Sequence, residues 1–153
     1  MTSVLFVCLG NICRSPAAEA VMTKFAADAG LDLTIDSAGT SAYHAGERAD
    51  ERMRTHGEKR GFQLLSRSRQ VTWADLKNFD LILAMDQSNY QGLQRLAGAD
   101  AAAHKIKMFC QYCQAQTHDE VPDPYYGGAA GFELVYDILE DGCQGLVDQL
   151  QKR

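Results

Sequence analysis

The stretch VLFVCLGNICRSPAAEA, residues 4–20, passes from an apolar run through a short turn into strong helix formers. SVLFVC (3–8) is apolar at consecutive positions and rich in valine. Such a run suits a strand buried on both faces, because a half-exposed strand alternates with polar residues. In a parallel sheet such a strand is covered by helices packed above and below.

The rest of the sequence repeats the alternation. SPAAEAVMTKFAADAG (15–30) reads as a helix stopped by Gly30, and LTIDSAG (33–39) as a strand ending in small residues. RADERMRTHGEKRG (48–61) reads as a polar helix, and VTWADLKNF (71–79) as a short helix with Thr72 as its cap. DLILAMD (80–86) is a second buried strand, followed by the helix QSNYQGLQRLAG (87–98) and a third strand candidate, KIKMF (105–109). Both remaining prolines and a Gly-Gly pair predict a long loop over 110–130, a length associated with function. Beyond it, Phe132, Val135, Leu139, Leu146 and Leu150 fall on one helical face. Strands alternating with helices predict a parallel sheet with right-handed crossovers. Ligands bind such sheets at the carboxyl ends of the strands, which is where Cys8 lies.

A chain of 153 residues fits one domain, 1–153. The formal charge of −5 and the lack of a basic stripe argue against nucleic acid as a partner. The densest positive run, RMRTHGEKR (52–60), is broken by Glu58 and reads as a solvated helix face. No apolar run approaches the roughly 20 residues that span a bilayer, and the amino terminus lacks the pattern of a secretory signal. Five cysteines, an odd number without framework spacing, predict free thiols in a reducing compartment, the cytoplasm.

CLGNICRS (8–15) leaves a strand and enters a helix within a few residues, so several backbone N–H groups lack partners. If the loop curls around a centre, those donors converge on it as an anion-binding nest. Gly10 and Asn11 are the positions suited to positive φ, and Pro16 suits the first helical turn. Arg14 can offer a two-pronged guanidinium to a tetrahedral oxyanion. An ordinary cysteine is only a few per cent thiolate at neutral pH, and a helix amino terminus with an arginine beside it favours the thiolate. Ser15 can donate a hydroxyl to that sulfur. Cys8 then becomes a nucleophile aimed at phosphorus.

With these residues the sequence resembles the low-molecular-weight protein tyrosine phosphatases. VCLGNICRSP (7–16) matches their phosphate-binding loop, DPYY (123–126) their general-acid loop, and MDQSN (85–89) resembles a third family segment. The resemblance covers essentially the whole chain. It implies a three-layer α/β fold, with a four-stranded parallel sheet flanked by helices on both faces, and no metal or other cofactor. It also implies Cys8 as nucleophile, Arg14 as phosphate clamp and Asp123 as general acid. Leu9, Gly10, Asn11, Ile12, Cys13 and Ser15 would surround the phosphate, with Asn11 holding the loop and Ser15 assisting the thiolate. Tyr43, Tyr125 and Tyr126 would line a cleft for a phosphotyrosine protein or a small aryl phosphate, releasing inorganic phosphate. A monomer is the expected state.

Ile12 fits the aryl-phosphate branch, since a branch acting on phosphoarginine carries threonine there. Ser66 departs from members with a histidine that touches the Ser15 network. Family members can form a disulfide between the cysteines matching Cys8 and Cys13, and Tyr125 and Tyr126 resemble sites that tyrosine kinases modify in some members. CQYC (110–113) leaves rival readings open: the relay of an arsenate reductase, or, with His104 or His118, a zinc site.

Overall fold

The valine-rich run becomes β1 (Thr2–Cys8), and the sheet is assembled around it. β2 (Leu33–Gly39) pairs on one side and β3 (Leu81–Ala84) on the other, with β4 (Ile106–Met108) beyond, giving the order β2-β1-β3-β4. All pairings are parallel, and the register sets Val4 between Ile35 and Leu81 and ends with Cys8 beside Gly39. The computed structural model describes residues 2–115, 118–124 and 128–152, with the side chain of Ala101 left aside.

The alternation in β1 sorts its side chains between two cores. Val4 and Phe6 pack with Val21 and Met22 of α1 (Arg14–Asp28), Met53 of α2 (Glu51–Lys59) and Leu139 of α5 (Ala129–Gln151). Leu5 and Val7 face Leu76 of α3 (Trp73–Asn78) and Leu93 of α4 (Gln87–Ala97). All four β1 side chains are fully buried, which is why every position of the run must be apolar. The result is the three-layer arrangement implied above. Chain connection runs from β1 outward to β2, then back across to β3. The strand order therefore reverses at β1, and a crevice opens at its carboxyl end.

Local signals place most boundaries. Thr72 and Asp75 form a reciprocal capping box on α3, and Gly30 takes φ 70° just past α1. The five predicted positions of the last helix, Phe132 to Leu150, are all buried. Three expectations are corrected. The helix predicted over 48–61 begins only at Glu51, because the Asp50 side chain accepts from Arg52 N and Met53 N and so fixes the start. The strand over 80–86 ends at Ala84: Met85 N reaches across to Val7 O, and Asp86 turns out as the cap of α4, accepting from Asn89 N. The span 110–130 is not all loop, since a 3-10 turn, Phe109–Tyr112, opens it and α5 begins at Ala129.

The basic run 52–60 is also more than a solvated face. Arg60 reaches Glu133, Asp137 and Glu140 of α5 at 2.9, 2.9 and 2.5 Å, and His56 bonds to Glu133. Carboxylates spaced along one face of α5 draw that guanidinium inward and tie α2 to α5. Among the described residues no helix is long and apolar enough to cross a membrane.

Candidate active site

The loop between β1 and α1 has its carbonyls taken from outside. Thr40 N donates to Cys8 O at 2.9 Å, Ser41 N to Leu9 O at 2.9 Å, and Asp50 N to Ile12 O at 2.7 Å. The Ser68 hydroxyl donates to Gly10 O at 2.8 Å. A peptide plane whose carbonyl points outward turns its N–H inward, so this pattern aims successive N–H groups at the concave side. α1 adds its own first-turn donors, since its N-cap, Cys13, makes no side-chain cap bond. The nest is thus built by the segments around it.

Of the two positions suited to positive φ, Asn11 adopts it, at 56°, and Gly10 does not. The lack of a side chain at Gly10 serves a neighbour instead, because a Cβ there would lie 2.9 Å from His44 Cδ2. Gly39 works the same way at the end of β2, where a Cβ would lie 2.7 Å from Leu9 O. The left-handed backbone of Asn11 is fixed by a fully used amide. Its Nδ2 donates to Ser15 Oγ at 2.8 Å and Ser37 Oγ at 3.0 Å, and its Oδ1 accepts from Arg69 N at 3.0 Å.

This amide sets the polarity of the hydrogen bonds beneath Cys8. Ser15 Oγ accepts from Asn11, leaving its own hydrogen for Cys8 Sγ at 3.0 Å or Ala38 O at 3.3 Å. Ser37 likewise accepts from Asn11 and donates to Glu19 Oε1 at 2.6 Å. Burial pushes the Glu19 carboxyl up, against the hydrogen bonds from Ser37 and Ser66. Ser66 therefore lies beside Glu19. Cys13 is 4% exposed, and burial pushes its thiol up, with Asp50 adding to the effect. All five cysteines are free thiols in the structure.

Arg14, nearly fully buried, is gripped from behind. Its Nη1 donates to Asp86 Oδ2 at 2.6 Å and to Val121 O at 3.0 Å, while Nη2 lies 3.7 Å from Asp123 Oδ2. Burial alone would lower the guanidinium's affinity for its proton; the sulfur of Cys8 and the carboxylates of Asp86 and Asp123 outweigh it and hold the group charged. Val121 in turn donates to Met85 O, so the segment carrying Asp123 is pinned to the end of β3.

Cys8, Leu9, Gly10, Ile12, Cys13 and Arg14 line a cavity of about 430 Å³, completed by Ser41, Tyr43, His44 and Asp123. The predicted Cys8, Arg14 and Asp123 thus meet in one place, with Asn11 and Ser15 supporting the cavity from below. Tyr43 stands at the mouth, 85% exposed, edge-on to His44 at 4.8 Å. Tyr125 and Tyr126 lie outside the described residues. Sequence reasoning missed Asp86, Ser37, Arg69 and His44. A signal existed only for Asp86, inside the noted segment MDQSN. CQYC lies off this cavity, and among the described residues no three histidine, cysteine or acidic side chains gather as a metal site.

The chain as a whole is similar to known proteins. The family model for low molecular weight phosphotyrosine protein phosphatase matches residues 3–153. The Synechocystis sp. chain slr0328, placed by its name in the same class, is 52% identical over 151 residues, covering 97% of this chain and 96% of its own. The low molecular weight phosphotyrosine protein phosphatase of Schizosaccharomyces pombe is 43% identical over 150 residues, 96% of each chain. A crystal structure of the Entamoeba histolytica protein tyrosine phosphatase, with Hepes in its active site, superposes with a TM-score of 0.96 at 49% identity, covering 99% of this chain and 98% of that one. The chain belongs to the low molecular weight protein-tyrosine-phosphatases.

Proposed function

We propose that the protein hydrolyses phosphotyrosine and small aryl phosphates through a cysteinyl-phosphate intermediate, with Cys8 as nucleophile and Asp123 as general acid and base. The observation that carries this reading is the loop whose carbonyls are held outward around a sulfur bonded to Ser15, with Arg14 beside it. Hepes is a sulfonate, and its presence in the Entamoeba enzyme's active site fits a pocket for tetrahedral anions.

In the first step Cys8 sulfur attacks phosphorus. The S–P bond forms as the P–O bond to the phenol breaks, and Asp123 gives its proton to the leaving oxygen. The loop N–H groups and Arg14 stabilise the charge on the equatorial oxygens. In the second step the Asp123 carboxylate takes a proton from water. That water attacks phosphorus, the S–P bond breaks, and phosphate leaves with the Cys8 thiolate restored. Asp86 and Val121 O hold Nη1 of Arg14, which orients the guanidinium before substrate arrives. No step requires a metal, and we place the activity in the cytoplasm on the strength of the free thiols.

Leu9, 52% exposed, and Tyr43 flank the mouth and supply apolar surface for an aryl ring. A phosphoserine held at the same mouth cannot extend its shorter side chain to Cys8. The direct test is hydrolysis of matched phosphotyrosine and phosphoserine peptides in excess EDTA. Phosphotyrosine turnover is expected to persist under EDTA while phosphoserine turnover stays at background. Comparable rates on both peptides, or loss of activity with EDTA, would overturn the reading.

Asn11 supplies a separate check on the loop. Asn11→Ala removes all three bonds of the amide, two donated and one accepted, and disfavours the left-handed backbone, so stability is expected to fall by about 1–3 kcal/mol in urea unfolding. Asn11→Gly restores the backbone freedom but not the bonds. It is expected to recover part of the stability, while both variants lose roughly 10- to 100-fold in kcat/KM through a misplaced loop. Wild-type kcat/KM in Asn11→Gly would show that the hydrogen bonds do not position Cys8.

A further inference from the structure

The CQYC motif takes no part in the cavity above, yet it is held in a definite shape. Residues Phe109–Tyr112 form a 3-10 turn, and Cys113 N closes it on Cys110 O at 3.1 Å. In such a turn the side chains at i and i+3 lie over one another. The closed turn brings the two Cα atoms within about 7 Å, and a disulfide accepts roughly 4.4–6.8 Å. α5 fixes the turn from behind. The Phe109 ring and the Tyr112 carbonyl occupy the places where a Cβ would stand on Gly142 and Gly145, and Cys113 Sγ lies 3.7 Å from Ile138 O. Little conformational freedom is left to lose when the sulfurs join.

Reactivity follows from the same pairing. The neighbouring Cys113 thiol holds the Cys110 thiol below its ordinary value, against burial and the carboxylates of Asp119, Glu120 and Asp141. Cys110 in turn pushes the Cys113 thiol up, with burial adding to it. Cys110 also lines a second cavity of about 640 Å³, shared with Met108, His118, Asp119 and Glu120, which gives a small molecule a route to the sulfur. Its acidic lining disfavours anionic oxidants and leaves neutral peroxides as the matching class.

We propose that Cys110 and Cys113 form a second thiol site, separate from Cys8, that reacts with hydrogen peroxide and closes to an intramolecular disulfide. Cys110 thiolate attacks one peroxide oxygen. The S–O bond forms, the O–O bond breaks, and hydroxide departs to take up a proton. Cys113 then loses its proton and attacks the Cys110 sulfur, forming S–S as S–O breaks and a second water leaves. The two sulfurs give up two electrons and the peroxide gains them. A dithiol reductant reverses the change.

The test uses wild type and Cys8→Ser, which removes the competing thiol. Each is exposed to hydrogen peroxide, alkylated and digested for mass spectrometry. The expected product is a peptide carrying Cys110 and Cys113, unalkylated and lighter by two hydrogens, restored by dithiothreitol. In Cys113→Ser, Cys110 is expected to be trapped by dimedone as the sulfenic acid. Buried Cys143 serves as the unreactive control. Glutathione disulfide, an anion, is expected to oxidise the pair at least about tenfold more slowly than peroxide at equal concentration. Full alkylation of both cysteines after peroxide, or overoxidation of Cys110 without a disulfide, would overturn the proposal. Equal rates with the two oxidants would overturn the part played by the acidic lining. None of these readouts depends on phosphatase turnover.

Discussion

Cys8→Ser is expected to lower turnover of p-nitrophenyl phosphate by on the order of 10⁴-fold or more, while the protein stays folded and still binds phosphate. A serine hydroxyl is far harder to ionise than a thiol. The groups beside residue 8, the Ser15 hydroxyl at 3.0 Å and the guanidinium of Arg14, cannot make an alkoxide available at neutral pH. Oxygen is smaller than sulfur, so the fully buried surroundings of β1 are not strained, and the outward carbonyl bonds of the loop remain. Binding and chemistry should therefore separate. Calorimetric titration with inorganic phosphate is expected to give an affinity near that of wild type, beside a rate at background. Residual activity within tenfold of wild type would remove Cys8 from the role of nucleophile. Loss of both binding and folding would show that the thiol is structural.

Asp123→Asn is expected to slow hydrolysis of phenyl phosphate and phosphotyrosine by about 10²- to 10⁴-fold. A tyrosine leaving group has a pKa of about 10, so its expulsion without a proton is slow at neutral pH. p-Nitrophenolate leaves readily unprotonated, so the loss should shrink as the leaving group improves. A plot of log kcat/KM against leaving-group pKa should be shallow for wild type and steep for Asp123→Asn. Asparagine keeps the size of the side chain and removes the charge that lies 3.7 Å from Arg14 Nη2. If that ion pair were the whole function of Asp123, every substrate would lose rate equally. Parallel lines would then rule out proton donation. Slow breakdown of the phosphoenzyme, seen as a burst with the best leaving group, is expected from loss of the base in the second step.

The strand and loop were legible early because their signals are local. Apolar residues at consecutive positions of β1 need two covering layers, and the eight residues from Cys8 to Ser15 carry thiol, left-handed position, guanidinium and helix start together. Thr72 capped α3 as read, since a capping box is written within four residues. The boundaries that shifted did so through contacts from elsewhere. β3 stopped at Ala84 because Met85 is taken by Val7 and Val121, neither of them its neighbour in sequence. The sequence around Arg60 predicts a solvated face because nothing nearby announces the carboxylates of α5.

The sequence by itself determined the layered parallel architecture and the loop from Cys8 to Ser15, because periodicity and short-range spacing record them directly, and the motifs of that loop carry the resemblance to the family. Only the tertiary structure decided how that loop is held. Asp86 lies 72 residues from Arg14, Arg69 58 from Asn11, and Ser37 26 from Asn11. Such partners meet only once the sheet register brings the ends of β1, β2 and β3 to one edge, and a hydrogen bond, being short and directional, leaves no trace in the chain before that edge exists.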